Sequence, residues 1–307
     1  MSDGSPAGAA ASGYGGIFVR GLLMGAADVV PGVSGGTIAF ITGIYDRLLG
    51  ALSTFGVPWL RLVLGGRWAE AFRRVDGGFL LALLAGIVTS VATLAHLIGW
   101  LLDAHPVLLW AFFFGLIGGS ALWLLRRVPH WHGGIALAVA LGLAVAVAVS
   151  LSPALRLDGG AAGLFLAGFL AICAMILPGV SGSFILVLLG MYDRVLGAVE
   201  SLDFAALGLF AAGAACGLLT FSRLLHWLLQ RYHGPAMGLL TGFLAGSLLA
   251  VWPWKLPGEG GQLLPASPAA WAGAEGAPAQ LLPALALMVL GAALVWQLEQ
   301  RWGDPGT

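Results

Sequence analysis

The sequence predicts an all-α polytopic membrane protein made of two inverted-topology repeats, each a re-entrant helical hairpin broken at Pro-Gly plus spanning helices. Three observations predict it. Of the 307 residues, 59% are apolar and only 9% charged, with a mean hydropathy of +0.96. A soluble domain carries about 25% charged residues, so this surface belongs in lipid. Apolar runs of about 20 residues, long enough to cross a bilayer, recur along the chain. Finally, PGVSGGTIAFITGIYDRLLGA (31–51) overlays PGVSGSFILVLLGMYDRVLGA (178–198) without a gap, with 13 of 21 positions identical. That is an internal duplication.

Residues 1–14 carry one charge, Asp3, and no apolar core with a cleavage site, which predicts a disordered cytoplasmic tail. Repeat 1 then runs over 15–132, with a hairpin at 15–51 and spans at 79–102 and 107–125. A linking span follows at 133–151. Repeat 2 covers 160–251, with a hairpin at 161–199 and spans at 204–229 and 235–251. An external loop, 252–280, leads to a last span at 281–297.

Both hairpins are interrupted, at Pro31-Gly32 and Pro178-Gly179. The halves on either side are about 15 to 18 residues, marginal for a full crossing at 1.5 Å per residue. Two short helices meeting at a buried turn fit better. Non-helical backbone at that depth is tolerated only inside protein or beside a cavity, so the turn points to function.

The duplication extends beyond the hairpins. Gly86, Trp100, Leu101, Leu102, Gly115, Gly119 and Ser120 overlay Gly213, Trp227, Leu228, Leu229, Gly242, Gly246 and Ser247. Three crossings separate the hairpins, and an odd number inverts the second copy. Placing 52–78 in the cytoplasm puts Arg61, Arg67, Arg73, Arg74, Arg126, Arg127, Arg231 and Arg301 inside. Arg156 and Lys255 then lie outside, with Arg194 near that face.

Inverted repeats with interrupted helices are the build of secondary transporters, whose site lies where the breaks meet. The chemistry at the breaks suits an anion. Ser34 is placed as a helix N-cap, and Gly35, Gly36 and Thr37 leave amide groups open to a ligand; Ser181, Gly182 and Ser183 do the same in the second copy. Asp28, three residues before Pro31, suits a coupling proton or sodium ion, the alternative being pairing with an arginine. Arg47 and Arg194 end the Tyr-Asp-Arg triplets, 13 residues past the serines and so roughly 20 Å along a helix. Capture of an anionic headgroup at each entrance competes there with simple anchoring beside Tyr45 and Tyr192. Arg223 overlays His96, giving each half one cationic group for the phosphate.

The balance of 14 basic and 14 acidic residues leaves no field for nucleic acid. Cys173 and Cys216 sit in apolar runs and read as packing residues. His130 and His132 lack a carboxylate beside them and do not make a metal site. No cofactor is expected.

MGAADVVPGVSGGTIAFITGIYDRL (24–48) and AMILPGVSGSFILVLLGMYDRVL (174–196) resemble the paired signatures of the polyprenyl-phosphate transporter (PopT) family. The resemblance implies a prokaryotic inner-membrane protein that returns undecaprenyl phosphate from the outer to the inner leaflet for reuse in peptidoglycan and other envelope polymers. By position it carries over Asp28, Pro31, Gly32, Ser34, Gly35, Gly36 and Thr37, and Pro178, Gly179, Ser181, Gly182 and Ser183. The external loop has no strong match in the family pattern. Two other readings compete. Gly32-Val33-Ser34-Gly35 spells the GxSG motif of an intramembrane serine hydrolase, with His96 or His226 as base. A transporter for a small anion is the other.

Overall fold

The structure, a computed structural model, describes residues 13–30, 33–127, 131–152, 157–258 and 263–302; Pro31 and Gly32 lie outside the described residues. The first copy forms α1 (Tyr14–Val29), α2 (Gly35–Ile41), α3 (Tyr45–Ser53), α4 (Val57–Leu64), α5 (Trp68–Arg74), α6 (Gly77–Ala104), α7 (Pro106–Arg127) and α8 (Gly133–Leu151). The second forms α9 (Ala161–Ile176), α10 (Gly182–Leu188), α11 (Tyr192–Glu200), α12 (Phe204–Arg231) and α13 (His233–Gly246), which ends in a 3-10 turn, Ser247–Leu249. A two-stranded antiparallel hairpin, β1 (Lys255–Pro257) with β2 (Leu263–Pro265), then α14 (Pro268–Glu275) and α15 (Leu281–Trp302) complete the chain. The protein is an all-α polytopic membrane protein apart from these two three-residue strands.

The duplication holds element by element. α1, α2 and α3 match α9, α10 and α11 in length and register, and α6 and α12 each run 28 residues. A helix of that length spans about 42 Å, more than the roughly 30 Å of hydrocarbon, so both project beyond it or tilt. Among the described residues five helices, α6, α7, α8, α12 and α15, are long and apolar enough to cross a membrane. The expected span at 235–251 is shorter: its helix stops after 14 residues and tightens into the 3-10 turn, where Ser247 Oγ donates to the Leu244 carbonyl at 2.8 Å. Leucines and valines of the long helices, among them Leu84, Val88, Leu137, Leu141 and Val289, stay exposed and face lipid. Trp100 and Trp227, at matching places near the ends of α6 and α12, stack edge-on against His105 and Tyr232. Such rings suit the membrane interface.

Each hairpin contains three helices where the sequence reading has two. A second break falls at Gly43 (φ 70°) and at Gly190 (φ 65°). Ile44 N–H donates to the Ala39 carbonyl and Gly43 N–H to Phe40, as Met191 does to Leu186 and Gly190 to Val187. That bonding pattern is a Schellman ending, which needs the left-handed conformation that glycine adopts freely. α10 and α11 consequently meet at 111°, and the 20 Å projection from serine to arginine along one straight helix does not apply. The connector read as 52–78 carries α4 and α5, which have no counterpart in the second copy.

Close crossings at glycines hold the long helices together. α1 lies on α6 with Gly21 against the Leu83 carbonyl and Gly86 against Phe18; α9 lies on α12 with Gly168 against Phe210 and Gly213 against Phe165. α8 and α15 make matching crossings. Gly142 and Gly242 join α8 to α13, and Gly291 and Gly115 join α15 to α7. Each closing helix thus packs on the other copy, which ties the halves together. Small residues permit this approach because dispersion and backbone contact, not hydrophobic exclusion, drive association in lipid.

The 252–280 segment packs over the starts of α7 and α15. Trp254 is buried with Val107, Ala111 and Ala284, and its indole N–H donates to the Ala279 carbonyl at 2.9 Å. Lys255 Nζ donates to the Ala250 carbonyl at 2.7 Å and sits 3.8 Å from the Trp110 ring centre. Burial pushes the Lys255 ammonium down to about 8.

Two outcomes follow from this packing. Gly213→Leu forces α9 from α12 and lowers the melting temperature in detergent, costing about 1 to 3 kcal/mol, whereas Gly208→Leu, where nothing lies within 4 Å of the added carbon, leaves it unchanged. Between pH 8 and the ordinary lysine range the unfolded chain holds a proton that folded Lys255 has lost, so this group's contribution to stability rises with pH there. Lys255→Met removes that part of the rise, read as melting temperature from pH 7 to 10.

Candidate functional site

The described residues on either side of the first Pro-Gly pair meet the second break in the protein interior. At the first, Val30 N–H donates to the Ala27 carbonyl and closes α1. Ser34 then caps α2, its hydroxyl accepting from Gly36 N–H at 3.1 Å. Asp28 reaches forward and accepts from Gly35 N–H at 2.6 Å. The sequence signal for both bonds is the run Asp-Val-Val-Pro-Gly-Val-Ser-Gly-Gly, which places a carboxylate and a hydroxyl at opposite ends of one tight turn. An added carbon at Gly36 would run into the Met175 and Ile176 carbonyls, so only glycine fits there, while one at Gly35 would displace the Asp28 carboxylate.

Three hydrogen bonds cross from this break to the second. Ser34 Oγ donates to the Met175 carbonyl at 2.8 Å, Tyr45 Oη to the Ile176 carbonyl at 3.0 Å, and Gly179 N–H to Thr37 Oγ1 at 2.8 Å. Met175 and Ile176 end α9, where carbonyls lack an intrahelical donor. Hydroxyls of the first copy supply it. Tyr45 is held for this by burial and by an edge-on contact with Phe40, 5.2 Å between ring centres.

The second break is built alike but occupied differently. Ser181 Oγ and Ser183 Oγ share a 2.8 Å bond, and Gly182 lies against the Ala171 carbonyl. Position 175, the counterpart of Asp28, is methionine, and position 184, the counterpart of Thr37, is phenylalanine. A narrow cleft of about 10 Å³ opens beside Ser150, Gly179, Ser181, Phe184 and Ala250. That is room for about one water. All seven residues of α2 are buried, whereas only Leu186 of α10 is.

Arg47 and Arg194 lie away from the breaks, each beside an aspartate that the sequence reading did not pair with it. Arg47 Nε bonds Asp76 at 2.7 Å, with its guanidinium 4.4 Å from the Phe79 ring centre, and Arg194 approaches Asp203 at 3.5 Å. Asp76 and Asp203 each precede a long helix, α6 and α12, at matching positions of the two copies. The signal was available: each aspartate precedes an apolar run as an N-cap residue does. Both pairs stay half exposed to solvent. Arg223 bonds the Ser53 carbonyl from Nε at 3.2 Å and the Phe55 carbonyl from Nη2, so it holds the end of α3. His96 is exposed on α6, and His226 bonds Gln230 at 3.0 Å.

Ser34 spends its proton on a carbonyl and has no histidine bonded to it among the described residues, so this geometry does not favour a serine hydrolase. Among the described residues no group of three or more histidine, cysteine, aspartate or glutamate side chains is placed to hold a metal ion.

Comparison with known proteins bears on the same segments. The family model described as undecaprenyl phosphate translocase-like matches residues 24–260, from just before the first break to the β-hairpin. A Vibrio cholerae protein named polyprenyl-phosphate transporter is 44% identical over 294 residues, covering 92% of this chain and 95% of that protein. A Staphylococcus aureus protein of the same name is 31% identical over 254 residues, covering 77% and 85%. No solved structure matches the chain. With both Pro-Gly motifs and α6, α7, α8 and α12 inside the matched region, the chain belongs to the undecaprenyl phosphate translocase-like family.

Proposed function

We propose that this protein moves a polyprenyl phosphate, undecaprenyl phosphate in particular, across a prokaryotic cytoplasmic membrane, returning it from the outer to the inner leaflet for reuse in envelope synthesis. The observation that carries the reading is the meeting of two matched helix breaks, rich in serine and glycine, inside an otherwise apolar bundle. A phosphate is too costly to pass through hydrocarbon alone. The polyprenyl tail is at home there. A protein therefore has to shelter only the headgroup, and paired breaks with amide and hydroxyl donors supply a route for it. The names of the two relatives support the cargo, and inversion of the second copy gives each leaflet an equivalent entrance.

In this reading Ser181, Gly182 and Ser183 offer donors at the second break, and Ser34, Gly35, Gly36 and Thr37 offer them once released from α9. Arg47 and Arg194 recruit the headgroup at the two faces by exchanging their aspartate partners for phosphate, which a guanidinium binds with two parallel hydrogen bonds. Asp28 is the group for a coupling proton or sodium ion. Arg223 positions the end of α3 and does not touch the phosphate. The protein acts by binding and release, with no bond made or broken.

The reading is tested by depleting the protein and staining intact cells with a ligand specific for the lipid phosphate. Accumulation at the outer surface is the expected result; unchanged staining contradicts the cargo. Arg47→Ala and Arg194→Ala insert normally and lower transport about 10-fold or more, the loss expected for one charge-assisted contact, while Asp76→Asn, which frees Arg47, keeps it. Equal losses in Arg47→Ala and Asp76→Asn mean the ion pair serves structure and not capture. Asp28→Asn keeps the bond to Gly35 but removes the response of transport to an imposed proton or sodium gradient, measured in sealed vesicles.

A further inference from the structure

The two copies agree in the backbone bonds of their turns and disagree in what they dock against. Val30 bonds Ala27 and Val33 bonds Val30, as Leu177 bonds Ala174 and Val180 bonds Leu177; the Schellman endings at Gly43 and Gly190 match as well. Only the first copy's hydroxyls reach across. Tyr45 is 3% exposed with its hydroxyl on the Ile176 carbonyl, whereas its counterpart Tyr192 is 41% exposed. Ser34 bonds Met175, whereas Ser181 turns to Ser183. α3 packs on α12 of the other copy, while α11 packs on α12 of its own. Arg223 secures the first of these contacts through the Ser53 and Phe55 carbonyls.

A duplicated chain with one hairpin docked and the other released has, by its own symmetry, a second arrangement in which the roles are exchanged. We propose that Tyr45 and Tyr192 are alternating latches: in the second state the Tyr192 hydroxyl donates to the Val29 carbonyl and Ser181 to the Asp28 carbonyl, while Tyr45 and Ser34 let go of α9. Val29 and Asp28 end α1 as Ile176 and Met175 end α9, so their carbonyls have the same need for a donor. The two dockings exclude one another, because each hairpin in its docked position buries its short helix, as all of α2 but only Leu186 of α10 is buried here. Exchange exposes α2 as it buries α10. This deepens the transport reading and rests on it for its cargo. The bond from Gly179 to Thr37 has no counterpart in the second state, since position 184 is phenylalanine and has no hydroxyl. The arrangement with Tyr45 docked is therefore the more populated of the two.

Tyr45 and Tyr192 are positioning residues in this scheme, and their effect is reciprocal, which simple loosening of a core is not. The full chain, with Cys173 and Cys216 replaced by serine, is placed in sealed lipid vesicles with a single cysteine at position 38 or 185. These are matching positions, Ile38 buried on α2 and Ile185 half-buried on α10. With a water-soluble maleimide, Ile185→Cys labels faster than Ile38→Cys. Tyr45→Phe raises labelling at 38 and lowers it at 185, so that the ratio of the two rates shifts about five-fold, the weight of one neutral hydrogen bond; Tyr192→Phe shifts the ratio the other way. Parallel changes at the two positions, or none, overturn the exchange. Reciprocal shifts without lipid movement keep the latches and remove the cargo; lipid movement without reciprocal shifts keeps the cargo and removes the latches.

Discussion

A helix that ends inside a membrane protein leaves carbonyls with no donor, and the interior has little water to supply one. The arrangement of this protein turns on that constraint. α9 stops at Ile176, within the bundle, and the hydroxyls of Ser34 and Tyr45 close its last carbonyls. Each backbone group left unsatisfied in such a setting costs several kcal/mol. Two of the polar residues that look most chemical in the sequence, Ser34 and Thr37, are accordingly engaged in joining the copies. In the proposed reading these atoms also serve the phosphate, which asks the joint to be breakable: hydroxyl to carbonyl bonds are each worth about 1 kcal/mol net, not the several of a packed core.

The scaffold around this joint is rigid by a different means. Glycine pairs at the α1–α6, α9–α12, α8–α13 and α7–α15 crossings bring backbones into direct contact. Four such seams, with α8 and α15 each lying on the opposite copy, leave the long helices little room to slide. The short helices α2, α3, α10 and α11 are connected by glycine turns and make fewer such contacts. In the proposed exchange these short helices move, with the long helices and α1 and α9 as a frame.

Charge is placed at the margins of that frame. Arg47 with Asp76 and Arg194 with Asp203 sit at matching corners, half exposed, where an ion pair between solvated groups contributes at most about 1 kcal/mol. A weak pair is easily traded for a stronger bidentate one, which suits a headgroup arriving from the membrane surface. Arg223, whose counterpart is His96, and Lys255, outside the repeats, satisfy carbonyls instead.

By itself the sequence determined the membrane class, the long helices, the duplication and the positions of both Pro-Gly breaks, because hydrophobic run length and turn residues act within a few neighbours along the chain. The second breaks at Gly43 and Gly190 were legible in the same way, as a glycine followed by an apolar residue and the start of a new helix, but the largely apolar residues around each glycine masked them. Tertiary structure alone decided which carbonyls Ser34, Thr37 and Tyr45 engage, which aspartates the arginines meet, and that α8 and α15 each close the other copy. It also decided that two nearly identical hairpins lie differently. Bonds that reach across 130 residues or more depend on how helices pack, and two equivalent copies meeting at one interface cannot both occupy its centre.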